Sequence, residues 1–441
     1  MGSTEGTPTT APPPTSVDTT KSPTRTPSPT PTTRQPAPTT TSSAPVADRI
    51  GVENGVTATA ELEGATEHEL TRSAVRFLVN RTMARVEILE GEEFEADIGV
   101  VFRTDAEFPR EYLAPEYREE VNAIYAVTFL VPQSRDAMAV ARQMRKRHVI
   151  GFFHPDQQRI VLIGDRSDFD GPAVAHELVH ALQHQRGVLV SRPDGYDRVL
   201  AYLALTEGEA SLVESRYAAK CGGAWTCTER PAPLPENVSN PKLAYLSAFP
   251  YQAGERFVRR VGLETGKDLY AEPPRATSQV IHSIDQEVVE VETPSPAGSV
   301  TRGAVTDVTV GEATIAAMLA GPALTRKGVV TDTSPIGGGG LVYNFSASRG
   351  WTGGALSTYS VDGTTAYMWK TRWRSAEDAT EFENAYVDMV RAYGGREVAP
   401  GIWKVDMEGF PGATKVVVRE DTVTIYSAAS RSQLQVLVDS V

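Results

Sequence analysis

Two histidines and a glutamate in one short run, His176-Glu177-Leu178-Val179-His180, are the residues of this chain best placed to do chemistry. On a helix, positions four apart project from one face about a turn apart, so both imidazoles can reach one tetrahedral metal ion, and zinc suits them. Glu177 lies beside them, where a carboxylate reaches zinc-bound water rather than the metal and can take its proton. The chain has 7 histidines and 56 acidic residues in 441 positions. That composition gives about one chance match per hundred chains of this size, so the spacing is specific.

Two histidines leave a zinc site short of a third protein ligand. His184 extends the series to i+8, too far along the helix axis to share an ion with both others. Downstream, LTEGEASLVE reads as a helix in which Glu207 and Glu214 lie seven apart and share a face. Gly208 between them allows a second helix to approach closely. Glu207 is the expected ligand. Glu214 is expected to hold a ligating imidazole in orientation, a role that metal sites commonly give to a carboxylate. Glu209 is the rival ligand, and it points away from the Glu207 face.

The elements that must carry these residues are legible around them. Val174, Leu178 and Leu182 form an apolar stripe on a helix predicted from Pro172 to about 185. Before it, 148–153 and 159–163 read as a β-hairpin, and an edge strand beside a metal can pair with an extended peptide. The periodicity also predicts helices over 67–86, 135–147, 197–219 and 251–260, and strands over 98–102 and 125–130. Further on, 337–340 reads as a flexible glycine break. Asp362-Gly363 sits between alternating strands 356–361 and 364–369, a strong hairpin signal. Ser375 caps a helix running to 393, strands follow at 415–419 and 422–427, and a last helix starts at Ser430. Trp351, Trp369, Trp373 and Trp403 belong to this C-terminal part, and most are expected in the core.

HELVH followed by TEGEASLVE resembles the gluzincin division of zinc metallopeptidases, whose signature joins HExxH to a glutamate ligand in an E-G-x-A helix, with another acid seven positions later. The resemblance covers about 148–282, and PPRATSQVIH, 273–282, is similar to a group of uncharacterised predicted metallopeptidases. It implies an α+β chain with a zincin-like metallopeptidase domain at 66–284. In that domain Zn2+ sits on His176, His180 and Glu207, and peptide bonds are hydrolysed by Glu177-activated water. The family also draws an oxyanion donor from a later segment. His282, Tyr251 and Arg275 are the candidates here, and His282 is favoured. Glu207 follows His180 by 27 positions (207 − 180), longer than in the best-known gluzincins, so a larger loop must fit between the two helices. The competing reading is a catalytically silent surface protein that keeps the scaffold for binding or structure.

Composition frames these readings. A formal net charge of −13 and no basic block argue against nucleic acid as a partner; the expected partner is a peptide or protein substrate. No run of eighteen apolar residues appears, and the N-terminus lacks the charged-then-apolar pattern of a signal peptide. Residues 1–60 read as a disordered Pro/Thr/Ser-rich stalk, since a segment without aliphatic side chains cannot offset its ordering entropy. Such a stalk suits an extracellular or cell-surface protein tethered by a lipid anchor at a missing N-terminus. A plain linker is the alternative. Cys221 and Cys227 are the only cysteines and flank a Gly-Gly turn, which favours a local disulfide. The remaining organisation is a connector at 285–334 and a C-terminal α+β domain at 335–441.

Overall fold

A computed structural model describes residues 48–62, 70–103, 118–145, 151–166, 169–189, 193–228, 239–263, 268–325, 336–337 and 340–441. The chain enters through a short antiparallel ribbon, β1 (Val52–Glu53) and β2 (Val56–Thr57). Helix α1 (Arg72–Glu90) follows. Thr71 caps its start by accepting from the Ala74 amide, and Gly91 ends it at φ 74°, a left-handed conformation that costs glycine nothing. Next come β3 (Gly99–Arg103), α2 (Arg118–Val127), α3 (Ala137–Arg145), β4 (Gly151–His154) and β5 (Arg159–Ile163). β3, β5 and β4 form a three-stranded sheet in that order, with β4 antiparallel at one edge.

Helix α4 (Gly171–Gln185) carries the histidine pair. Asp170 caps it by accepting from the Ala173 amide, and Pro172 fills the first turn, where a missing N–H costs nothing. Helix α5 (Tyr196–Ala218) runs against it, followed by α6 (Pro241–Ser247), α7 (Phe249–Phe257) and α8 (Thr277–Ile281). Then come β6 (Thr301–Arg302), α9 (Glu312–Thr325), and the short pair β7 (Ile336–Gly337) and β8 (Gly340–Leu341). The rest is β9 (Trp351–Val361), β10 (Thr364–Trp373), α10 (Ala376–Ala392), β11 (Arg396–Ala399), β12 (Ile402–Lys404), β13 (Ala413–Arg419), β14 (Thr422–Ala428) and α11 (Arg431–Ser440). Seven of these strands make one antiparallel sheet in the order β11-β12-β13-β14-β10-β9-β6. The architecture is mixed α+β, as expected from the sequence.

Two apolar cores share helix α5. Its Ala201, Ala204, Leu205 and Leu212 belong to the larger core, which also holds α2, α9 and the inner face of the seven-stranded sheet. Its Ala210, Val213 and Tyr217 pack with α1, α4 and β5. The helix that carries Glu207 is thus clamped on both sides, which holds that carboxylate at a defined height opposite α4. Trp351, Trp369, Trp373 and Trp403 are all buried.

Several readings need adjustment. The strand expected at 125–130 is instead the end of α2, which runs to Val127, with Phe129 turning the chain at φ 58°. Val121, Ile124, Tyr125, Ala126 and Val127 are all buried, and a short apolar run buried on every side looks alike as strand or helix. The stalk expected over 1–60 lies outside the described residues up to 47, while 48–60 include the ribbon, with Val52 and Ala58 buried. Part of the expected first helix, 67–69, and the first residues of the hairpin, 148–150, also lie outside the described residues. The stretch read as a connector, 285–334, supplies an edge strand of the large sheet and the fully buried face of α9.

Cys221 and Cys227 are disulfide-bonded, and the loop they close packs Trp225 against Tyr217 with Arg85 over both rings. Arg85 also donates to the Tyr217 hydroxyl and to Thr226 O, tying this loop to α1. Replacing both cysteines by serine is expected to lower stability by about 2 kcal/mol, the loop-closure entropy of so short a ring. Urea unfolding of the double variant tests this, and a midpoint equal to the parent's would show that the side-chain packing holds the loop alone.

Candidate metal centre

His176 and His180 project from the same face of α4 with ring centroids 5.1 Å apart. Glu207, reaching across from α5, places Oε2 3.3 Å from His176 Nε2 and 3.4 Å from His180 Nε2. One oxygen and two ring nitrogens therefore converge on a common point. Among the described residues, this is the one group of three His, Cys, Asp or Glu side chains whose ligand atoms all lie within 4.8 Å of one another. The far nitrogen of each ring is also engaged. His176 Nδ1 meets Glu214 Oε2 at 3.1 Å, and His180 Nδ1 meets Gln183 Oε1 at 2.8 Å. Each ring is thereby fixed in orientation with its Nε2 turned inward, which is the arrangement a metal-binding imidazole requires. A His2Glu donor set with both outer nitrogens anchored fits a zinc ion.

Electrostatics at this point are those of a buried cation site. Burial acts against charge on His176, but Glu207 and Glu214 outweigh it and carry the imidazole up to about 10. His180 is shifted upward for the same reason, chiefly through Glu207. Burial would raise Glu207, yet His180 and His176 hold it well below the usual carboxylate range. Glu177 behaves oppositely. Burial raises it beyond what the two neighbouring histidines recover, so it favours a proton more than an ordinary glutamate does. Its carboxylate also accepts from the Phe153 backbone on the edge strand β4. Glu177 thus links the histidine pair to β4, which among the described residues is an edge strand of its sheet.

Sequence spacing did not pick out what lies behind these residues. Gln183 is buried and donates to Thr206 O at 2.9 Å and to Glu209 Oε2 at 2.6 Å. Glu209, the rival ligand, is thus directed away from the histidine pair: it accepts from Gln183 and Tyr270 and pairs with Arg186 at 2.7 Å. Arg186 in turn holds Glu90 and Glu92. The signal that could have found Gln183 is its position three residues after His180, on the same helix face.

His282, the expected oxyanion donor, is engaged by another carboxylate in the structure. Its Nε2 bonds Glu312 Oε1 at 2.8 Å, and Ser348 donates to that same oxygen. Tyr251, on α7, is the candidate next to the histidine pair. Its ring lies 6.0 Å from that of His176, inclined at 27°, and it is among the exposed large side chains. Arg275 contributes a backbone amide to Gln279.

Residues 299–438 match a domain of unknown function, DUF8575, which spans β6 to most of α11 and leaves the histidine pair and Glu207 outside the match. No curated protein and no solved structure matches the chain. No described helix is long and apolar enough to cross a membrane.

Proposed function

We propose that the chain is a zinc-dependent peptidase of the gluzincin kind, with a zincin-like domain acting on peptide substrates outside the cell. The observation that carries this reading is the convergence of His176, His180 and Glu207, both imidazoles braced from behind, with the Glu177 carboxylate electrostatically coupled to all three. Bound there, zinc would supply a Lewis acid that polarises a carbonyl and makes water nucleophilic near neutral pH. Glu177 takes the proton of the attacking water, and its raised affinity for a proton suits a base that must later deliver that proton to the leaving amine. β4 offers backbone groups to an extended substrate, which would lay the scissile bond along α4. Tyr251, whose ring lies beside that of His176, is the proposed oxyanion donor. The disulfide and the Pro/Thr-rich stretch support an exterior location, where an N-terminal tether would hold the domain off the surface.

The test is zinc content together with cleavage of a broad peptide library, run beside Glu177→Gln. A metallated parent that cleaves no better than the variant removes the enzyme reading and leaves a metal-binding scaffold.

The braces behind the histidines have their own consequence. Glu214→Ala is expected to raise the dissociation constant for zinc by about 10- to 100-fold, the usual cost of losing the carboxylate behind a ligating imidazole. Competition with a chromogenic zinc chelator measures it. An unchanged constant would show that α4 packing alone orients His176.

A further inference from the structure

The two imidazoles of the candidate metal centre are braced by groups of different kinds. His176 Nδ1 meets Glu214 Oε2 at 3.1 Å, and a carboxylate presents a ring nitrogen with oxygen whichever way it turns. His180 Nδ1 meets Gln183 Oε1 at 2.8 Å, and a side-chain amide has two ends. Turned by half a revolution, it would present its Nε2 hydrogens instead. Ligation through His180 Nε2 places the ring hydrogen on Nδ1, so the amide oxygen must face the ring. A turned amide would donate to Nδ1 and leave the hydrogen on Nε2, the nitrogen that lies 3.4 Å from Glu207 Oε2.

What selects the orientation lies behind Gln183. Its Nε2 donates to Thr206 O at 2.9 Å and to Glu209 Oε2 at 2.6 Å, which uses both amide hydrogens. The Tyr270 hydroxyl, 3.0 Å from the same nitrogen, donates its own hydrogen to Glu209 Oε2. A turned amide would bring Oε1 against Thr206 O and Glu209 Oε2 with no hydrogen from the amide to join them. Gln183 is 0 % exposed, so water cannot relieve that contact. Glu209 is itself held in place. Its Oε1 pairs with Arg186 at 2.7 Å, and Arg186 reaches Glu92 at 2.6 Å and Glu90 at 3.1 Å, at and just past the end of α1.

We propose that Glu209 is a positioning residue for the metal centre: by accepting from Gln183 it fixes the sense of that amide, and so the tautomer in which His180 offers a bare Nε2. The proposal rests on the reading of His176, His180 and Glu207 as ligands. Two acids two positions apart on α5 then divide the work, Glu207 facing the ion and Glu209 orienting the second histidine from behind. Arg186 keeps Glu209 turned away from the ligands and leaves its other oxygen for Gln183.

The experiment is zinc affinity of the full chain, by competition with a chromogenic chelator, across parent, Glu209→Gln, Gln183→Glu and the double variant. The amide introduced by Glu209→Gln has one oxygen, which Arg186 takes, and its nitrogen then faces the nitrogen of Gln183. Gln183 turns, and the dissociation constant for zinc is expected to rise by about 10- to 100-fold. The carboxylate introduced by Gln183→Glu presents oxygen to His180 in either sense and accepts from the new amide, although the bond to Thr206 O is lost. The double variant is therefore expected to recover about tenfold of the affinity lost in Glu209→Gln. In the Gln183→Glu protein two carboxylates face each other, so adding Glu209→Gln there should strengthen zinc binding: the effect of one substitution reverses sign with its neighbour. Unchanged affinity in Glu209→Gln overturns the proposal. So does a loss of the same sign in both backgrounds, because a purely structural role for Glu209 would not be reversed by exchanging acid and amide. A parent that binds zinc no better than His180→Ala removes the metal centre itself, and this proposal with it.

Discussion

Glu177→Gln is expected to bind zinc within a few-fold of the parent and to hydrolyse peptides at least about 10³-fold more slowly. The proposed donor set is His176, His180 and Glu207, so the amide would remove nothing that touches the ion. It is nearly the same size as the acid, and its oxygen can still accept from the Phe153 backbone, so the contact of α4 with β4 is kept. Only proton acceptance is lost. A factor of 10³ corresponds to about 4 kcal/mol in the barrier, within the range attributed to a positioned general base. The pH profile sharpens the test. The parent's activity should fall as pH drops and Glu177 takes up a proton, because a protonated Glu177 cannot accept. The residual activity of the variant should lack that acid limb. Equal rates for parent and variant, both metallated, would leave the site without an enzymatic role.

How much of this site could be read beforehand depends on the kind of spacing involved. His176, Glu177 and His180 lie within one helical turn, and Glu207 with Glu214 lie within two, so helix geometry alone sorts them onto faces. The same argument turned Glu209 away, and the structure gives it a different use, as the acceptor that holds Gln183. Gln183 gives no signal of its own, because a neutral amide carries no motif, although it sits on the helix face that the periodicity defines. His282 against Tyr251 was a tertiary question. Nothing in local spacing says that α7, and not the turn after α8, comes to rest beside α4.

The C-terminal half divides in the same way. Asp362 and Gly363 adopt φ values of 50° and 73°, as the primed turn between two alternating strands demands, and the β9–β10 register follows from it. Ser375 and Ser430 cap their helices by accepting from Asp378 and Gln433 amides, both legible as Ser before an amphipathic run. β11 and β12 are only four and three residues long, too short for alternation to register. β6 is shorter still, and its place at the sheet edge is set by β9, some fifty residues downstream.

Gly208→Ala is expected to cost about 3 kcal/mol in stability, at the upper end for an added methyl group, and to weaken the metal site with it. Helices α5 and α7 cross with their backbones in contact. A Cβ on Gly208 would fall on the carbonyl carbon, oxygen and Cα of Gly254, and a Cβ on Gly254 would fall on the Ala204 carbonyl. No flexible side chain lies at that crossing to move aside, so the helices themselves must part. Alanine favours a helix over glycine by about 1 kcal/mol, which is too little to offset a backbone clash. The consequence reaches the site because Glu207 precedes Gly208 on α5, and Tyr251 lies three residues before Gly254 on α7. Parting the helices draws the Glu207 carboxylate and the ring beside His176 away from α4 together. Urea unfolding and zinc affinity should therefore both shift. Gly223→Ala is the control, since its Cβ would meet only Lys220 O at an ordinary 3.7 Å. A Gly208→Ala protein as stable as that control would mean that the α5–α7 crossing is looser than its geometry implies, and that Glu207 is positioned by α5 and α4 alone.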